Sequence, residues 1–258
     1  MLNILALTVL GLLIGSFLNA TAGRWGTSRQ NARRSKCWQC GLVLTWRQLV
    51  PLVSWLYQQG RCDKCFGNIS FRYPLVELAT AVLFVAGYLV TNSITELVFI
   101  LTIFSLMIII ALIDIDQFII PHELSVPLIA LSFASLFISP LTLQVTSPDA
   151  WQLLAGPILA AFFWGLWLLT RGQGMGFADG TLALSIGWLL GISHGVFAAI
   201  LSFWIGLLFS LGIILYSKLT TGNSSLGMKS QVPFGPYLVA GYLITFLSGF
   251  SLFDQLLF

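Results

Sequence analysis

The chain carries very little charge. Only 8% of its 258 residues are charged, and nine of these residues are acidic. Soluble domains carry about 25% charged residues, so this composition and the mean hydropathy of +0.93 exclude an ordinary soluble domain. The sequence also lacks a glycine-rich loop of the soluble nucleotide-binding kind and a basic pattern interleaved with aromatic residues. Nucleic acid is therefore not an expected partner.

Long apolar stretches occupy most of the chain and predict an all-α polytopic membrane protein, because about 20 apolar residues span a bilayer as a helix. We predict about eight transmembrane helices and a small zinc-ribbon-like cytoplasmic loop domain. The predicted helices are Leu2–Thr21, Pro74–Val90, Ile94–Asp114, Pro121–Ser139, Trp151–Thr170, Asp179–Ile192, Val196–Tyr216 and Gly235–Phe253. The corresponding domains are 1–21 (first transmembrane helix), 22–73 (cytoplasmic loop domain with four cysteines) and 74–258 (transmembrane helical domain).

The distribution of basic residues predicts the topology. No positive residue precedes the first apolar stretch, so it is not expected to be a cleavable signal peptide. Nine of the twelve Lys and Arg lie between Arg24 and Arg72. If the N-terminus lies outside the cell membrane and the chain crosses it eight times, all Lys and Arg lie on the cytoplasmic side. None lies in the outer connections Thr91–Ser93, Pro140–Ala150 and Ser193–Gly195. The basic loop should also contact anionic lipid headgroups.

All four cysteines lie in this basic loop, as the pairs Cys37/Cys40 and Cys62/Cys65. Two CxxC pairs supply four thiolates at the spacing of a tetrahedral zinc site. A cytoplasmic loop keeps its thiols reduced, and a loop of this size has too small a core to fold without a metal. We therefore predict structural Zn²⁺, with four free thiols as the alternative and a redox role as a weaker one.

Two tryptophans, Trp46 and Trp55, lie between the cysteine pairs in an apolar segment. They suit either the core of the loop domain or the membrane interface. The membrane interface is the favoured interpretation.

Two aspartates, Asp114 and Asp179, stand where apolar stretches meet polar ones. Carboxylates at membrane depth are costly and therefore indicate function, and the topology brings both to the inner face. Two carboxyl groups that meet can share a proton and act as an acid/base pair. Asp116 does not share a helix face with Asp114, so Asp114 is the one expected to face Asp179. Two alternatives stay open: a helix N-cap for Asp179, and a transporter with ion-binding carboxylates.

Two further acids have a structural interpretation. Glu77 is placed in the first turn of its predicted helix and Glu123 at the start of another, where the helix dipole favours an acid. Gly187 and Gly191 are possible contact points between helices.

Ordered motifs over most of the chain resemble those of type IV prepilin leader peptidases, which are intramembrane aspartyl proteases. The motifs are Gly15–Asn19, the two CxxC pairs, Pro51–Leu56, Gly60–Cys62, Ile69–Leu78, Leu112–Asp116 with Ile120-Pro121, Gly174–Asp179 and Pro233–Tyr237.

The resemblance implies that Asp114 and Asp179 are the catalytic pair. It also implies cleavage of prepilin or pseudopilin leaders at the cytoplasmic face of the bacterial inner membrane. Many such enzymes then methylate the new N-terminus with S-adenosylmethionine, and the zinc-type loop is associated with this bifunctional form. The residues that bind S-adenosylmethionine are not identified by the resemblance.

The sequence departs from the family pattern near the second aspartate. Ala178 replaces a glycine, Thr181 a frequent lysine and His122 a frequent aspartate, and the loop before Cys37 is short. If position 178 needed a positive φ, alanine would cost ~1–2 kcal/mol. A weakened homologue that retains one activity is therefore a further alternative.

Overall fold

The structure is a computed structural model that describes residues 2–28, 30, 34–137, 147–221 and 233–249. Several predictions fall outside these residues: the placement of Arg29, Arg33 and Lys229, most of the connection Pro140–Ala150, and the end of the last predicted helix at Phe253.

The described chain is helical and forms two compact units, divided between Leu112 and Ile113. The helices are α1 Leu2–Ala22, a 3₁₀ turn Trp46–Leu49, α2 Val53–Tyr57, α3 Arg72–Val90, α4 Ile94–Gln117, α5 His122–Phe137, α6 Ala150–Leu169, α7 Phe177–Thr221 and α8 Gly235–Ser248. Two isolated antiparallel bridges, both in the cysteine-containing loop, are the β structure of the described residues. The three-domain division predicted from the sequence stays a prediction.

Five helices are long and apolar enough to cross a membrane, namely α1, α3, α4, α6 and α7. The helices α5 and α8 are apolar but shorter. Large apolar side chains remain exposed along these helices, with Leu5 64% and Val98 60% exposed in the first unit alone. Lipid can cover such surfaces, whereas water cannot do so without cost. The prediction of an all-α polytopic membrane protein is confirmed.

Helix α7 contains the two helices that the sequence predicted around Ser193–Gly195. The interruption lies slightly earlier, at Gly191, whose φ of 74° is not helical. A methyl group at Gly191 would have no neighbour within 4 Å, so this glycine is a break rather than a helix contact. Gly187 is a contact, because a Cβ there would lie 2.6 Å from the carbonyl oxygen of Ala155 on α6.

The first unit is held by the packing of α1 on α3. Gly15 of α1 faces Thr80 and Glu77, and a Cβ at this glycine would lie 2.9 Å from the Glu77 Cα. The close approach buries Glu77, which is 4% exposed. The expected position of Glu77 in a first turn was wrong: α3 begins at Arg72, two residues earlier, because Pro74 needs no N–H partner in a first turn.

The two loop tryptophans have different environments. Trp55 packs edge-on against Phe71 at 5.6 Å between ring centroids and donates a hydrogen bond to the Ile69 carbonyl at 3.2 Å. Trp55 is therefore half-buried by contacts within the loop, in the direction of the less favoured of the two interpretations. Trp46 is 72% exposed, and its place at the membrane interface stays a prediction.

Candidate active site and metal centre

Asp114 lies near the end of α4, on the buried side of the helix. Its side chain is 5% exposed, whereas Asp116, two residues on, is exposed. The helix ends just beyond, where Phe118 adopts a φ of 57° and its N–H donates to the Asp114 carbonyl at 2.9 Å. The helical period had predicted that Asp114 faces inward and that Asp116 does not share its helix face.

Asp179 is the third residue of α7 and is also 5% exposed. Its Oδ2 atom accepts a hydrogen bond from the N–H of Gly176 at 3.0 Å. Asp179 is thus not the N-cap residue of its helix, which was the alternative left open by the sequence. It reaches back from the first turn to the residue before the helix, as the acidic member of a capping box does. This bond also orients the carboxyl group.

Asp114 is held in a similar way by a residue far away in the sequence. Its Oδ2 atom accepts a buried hydrogen bond from the N–H of Gly235 at 2.9 Å, across 121 positions of the chain. Gly235 is the first residue of α8, where N–H groups have no partner within the helix and favour an anion. A Cβ at this position would lie 2.6 Å from the same Oδ2 atom, so any other residue would displace the Asp114 carboxyl group.

The two carboxyl groups lie near enough for the charge of Asp114 to influence Asp179. We call these two groups the carboxyl pair. Each uses its Oδ2 atom for one backbone N–H, and among the described residues no donor bonds the Oδ1 atom of either group. The arrangement therefore leaves two oriented oxygens for a water molecule and a substrate carbonyl.

The alanine at position 178 does not strain the backbone. Ala178 lies inside α7 and is not among the described non-glycine residues with positive φ. Its carbonyl accepts a hydrogen bond from the Thr181 hydroxyl at 2.6 Å. The conformational cost considered for alanine therefore does not arise, which removes one reason to expect a weakened enzyme.

Aromatic residues of α6 support the start of α7. Trp164 stacks on Phe177 at 5.5 Å between ring centroids and donates to the Phe177 carbonyl at 3.2 Å. Gly180, next to Asp179, faces Trp164 so closely that a Cβ would overlap the indole ring. Sequence reasoning did not assign roles to Trp164 or Gly235, although Gly235 lies in the motif Pro233–Tyr237. For the glycines of 172–180 it expected only a close backbone approach beside Asp179.

The four cysteines converge into one group, which we call the cysteine cluster. All four Sγ atoms lie within 4.8 Å of one another, with Cys37 to Cys65 at 3.9 Å and Cys40 to Cys62 at 4.0 Å. These separations exclude disulfides, which need ~2.05 Å. A tetrahedral zinc ion with ~2.3 Å bonds to sulfur requires sulfur atoms ~3.8 Å apart. The cluster therefore fits a tetrahedral metal ion.

Each half of the cysteine cluster is a short turn of the same design. The N–H of Cys37 donates to the Leu42 carbonyl at 2.8 Å, and the N–H of Cys62 donates to the Gly67 carbonyl at 2.9 Å. The residue after the second cysteine has positive φ in both turns, 71° at Gly41 and 55° at Phe66. The two halves thus present their thiols with matching backbone geometry.

The thiols also differ in their readiness to ionise. The backbone N–H groups of Cys40 and Gln39 lower the pKa of Cys37 to about 7. At Cys65 the N–H of Gly67 lowers the pKa, but desolvation and the neighbouring thiols outweigh it and raise the pKa to about 11. Four thiolates so close together repel one another, and a divalent cation removes that repulsion.

Comparison with known proteins identifies relatives for both units. Residues 9–91 match the family described as the bacterial peptidase A24 N-terminal domain. Residues 101–211 match the type IV leader peptidase family. No solved structure matches the chain.

Three relatives carry the same description, prepilin leader peptidase/N-methyltransferase. The Bacillus subtilis protein is 32% identical over 95% of this chain and 94% of its own length. The Pseudomonas putida protein is 33% identical, over 92% of this chain and 88% of its own length. The Aeromonas salmonicida protein is 34% identical over 85% of this chain and 72% of its own length.

Proposed function

Because the chain belongs to the type IV leader peptidase family, we propose that it is a membrane-embedded aspartic endopeptidase that removes the leader peptide from prepilins or pseudopilins. We further propose that it methylates the N-terminus exposed by the cut. The first activity is carried by one observation: two carboxyl groups, Asp114 and Asp179, are both buried and are each oriented by a backbone N–H.

In the proposed reaction, the ionised member of the carboxyl pair accepts a proton from a water molecule. The water oxygen attacks the scissile carbonyl carbon, and the protonated member donates its proton to the carbonyl oxygen. The C–N bond then breaks as the leaving amine takes the proton that the pair accepted from water, and a hydroxyl group of the tetrahedral intermediate returns its proton to the other carboxylate. The pair titrates as a unit, so the two roles belong to the pair rather than to either residue. The hydrogen bonds from Gly176 and Gly235 hold each group in position.

The family comparisons do not favour the transporter interpretation of the carboxylates. One reason to expect a weakened homologue was Ala178, which lies in unstrained helix. The other reason, Thr181 in place of a frequent lysine, still stands as an alternative.

We propose that the ion in the cysteine cluster is Zn²⁺, since four thiolates in a closed tetrahedron are a structural zinc set. It would be held by Cys37, Cys40, Cys62 and Cys65. The ion would complete a loop that contains little regular structure. S-adenosylmethionine would supply the methyl group for the second reaction.

The chain is a membrane protein, and the charge distribution supports a specific orientation. We propose the bacterial inner membrane, with the N-terminus outside and both the cysteine cluster and the carboxyl pair on the cytoplasmic side. The support is the concentration of nine of the twelve basic residues between Arg24 and Arg72. Anionic lipid would neutralise this segment.

A reconstituted assay tests the two activities together. Purified protein in liposomes is mixed with a prepilin and S-adenosylmethionine, and the product is analysed by mass spectrometry. We expect a pilin that has lost its leader and gained one methyl group. Asp179→Asn should abolish leader loss without unfolding the protein. Normal cleavage by this variant would contradict the proposed peptidase.

A further inference from the structure

The first unit contains a cavity that the peptidase reaction does not use. Its volume is about 420 Å³, within the range of small-molecule sites. It lies among α1, the start of α3 and the loop that carries the cysteine cluster, and Cys37 and Cys62 contribute to its wall. We propose that this cavity binds S-adenosylmethionine, with Glu77 opposing the charge of the sulfonium group. The inference rests on the proposed N-methylation.

Two buried polar side chains line the cavity. Glu77 and Asn19 are each 4% exposed. Among the described residues, no atom accepts a hydrogen bond from Asn19 Nδ2. Leaving a buried donor unpaired costs free energy. A ligand with acceptor atoms in the cavity would satisfy it, and the adenine and ribose groups of a nucleoside both carry such atoms.

Glu77 is held with its carboxyl group in place before any ligand binds. Its Oε2 atom accepts a hydrogen bond from the N–H of Leu52 at 2.8 Å. Leu52 adopts a φ of 58° and a ψ of −52°, which is strained for a leucine. Strain of this kind persists where the surroundings require it and often marks a functional site. The carboxyl group has acceptor positions beyond this bond.

Aromatic and basic side chains complete the match to this cofactor. Trp38 and Tyr73 line the cavity and are joined by a hydrogen bond of 3.3 Å from the indole N–H to the Tyr73 oxygen. Aromatic faces stack on a purine and attract a cation. Arg34 and Lys36 line the same cavity and suit the carboxylate of the methionine part. A cavity with one buried acid, aromatic rings and basic residues matches a cationic sulfonium with an adenine at one end and a carboxylate at the other.

The test compares two ligands that differ in charge at sulfur. Equilibrium dialysis or calorimetry on the purified full-length protein measures the Kd of S-adenosylmethionine and of S-adenosylhomocysteine. Glu77→Gln keeps an oxygen that can accept the Leu52 N–H but removes the charge. We expect S-adenosylmethionine to bind about tenfold more weakly and S-adenosylhomocysteine less than about threefold more weakly, because the lost contact acts on the cation.

Asn19→Ala provides a second variant, in which both ligands should bind about fivefold more weakly since its donor does not sense the charge at sulfur. Glu96→Gln is the matched control, because Glu96 is an acid of the same unit that does not line the cavity. Prepilin cleavage and metal content should stay unchanged in all three variants, which separates a binding effect from misfolding.

Each outcome has a defined meaning. Wild-type methylation together with unchanged affinities in Glu77→Gln and Asn19→Ala would overturn the cavity assignment and leave the proposed function intact. Binding that depends on Glu77 in a protein that never methylates a prepilin would support the site and contradict the methyltransferase proposal. Equal losses for both ligands in Glu77→Gln would also overturn the charge role of Glu77.

Discussion

The cysteine cluster and the carboxyl pair are two polar centres built in opposite ways. The cysteine cluster joins two local turns separated by a short connection, and Cys40 and Cys62 are 22 positions apart. The carboxyl pair depends on three helices, and the bond from Gly235 to Asp114 spans 121 positions. Local spacing can specify the first centre, whereas the second needs residues from the end of α4, from α7 and from α8, which only the tertiary structure brings together. The two centres should therefore respond differently to mutation.

The largest effect is expected at the carboxyl pair itself. Asp114→Asn removes a proton carrier, and we expect prepilin cleavage to fall by about 10²–10⁴-fold, the usual contribution of general acid–base catalysis. Bound metal should remain at the wild-type level, because the cysteine cluster is a separate centre. The measurement is cleavage rate alongside metal analysis. Asp116→Asn is the control, since Asp116 lies on the exposed side of the same helix. Equal losses in both variants would show that helix stability, not chemistry, is being measured.

The reverse experiment removes the metal centre. Cys62→Ser deletes the buried ligand of the cysteine cluster, and a serine hydroxyl is a poor substitute for a thiolate. We expect metal content to fall from one ion per chain to nearly none, with S-adenosylmethionine binding lost because Cys62 lies in the cavity wall. Atomic absorption and ligand binding measure these changes. A variant that keeps a full complement of metal would contradict the four-thiolate site.

A backbone contact gives a smaller but more discriminating test. Gly235→Ala places a methyl group against the Asp114 carboxyl group. Displacement of a catalytic group by about 1 Å can cost ~10²-fold, so we expect cleavage to fall about 10- to 100-fold. Metal content and S-adenosylmethionine affinity should be unchanged. Gly212→Ala is the matched control, because a Cβ there has no neighbour within 4 Å. If both variants cleave normally, the contact from α8 does not position Asp114.

The smallest expected effect concerns backbone strain in the cysteine cluster. Gly41 has a φ of 71° and open space around it, so Gly41→Ala adds conformational strain and no clash. The left-handed conformation costs an L residue ~1–2 kcal/mol, which corresponds to about 5- to 30-fold weaker metal binding. Phe66→Gly in the other turn should instead tighten metal binding, because glycine adopts a positive φ without strain. Phe66 is 72% exposed, so little packing is lost. Competition with a chromophoric chelator measures both affinities. Changes of the same sign would show that the two turns are not equivalent.

Local patterns were sufficient for much of the fold and for part of each centre. Apolar stretches predicted the helices, although the break in α7 was placed at Ser193–Gly195 and lies at Gly191. The error has a simple cause: a serine, a histidine and a glycine together look like a turn, but a positive φ interrupts a helix more strongly than polarity does. The start of α3 was also misplaced, and Glu77 was therefore interpreted as a first-turn residue.

The sequence by itself determined the membrane class, the grouping of the cysteines and the inward placement of Asp114 relative to Asp116, because hydropathy, CxxC spacing and helical period act over a few residues. Tertiary structure alone decided that Gly235 donates to Asp114. It also decided that Glu77 lines a cavity beside Asn19, whose Nδ2 atom has no hydrogen-bond acceptor in the described part of the chain. Such contacts join residues that are distant along the chain, and the physical reason they escape sequence reasoning is that helix packing selects them.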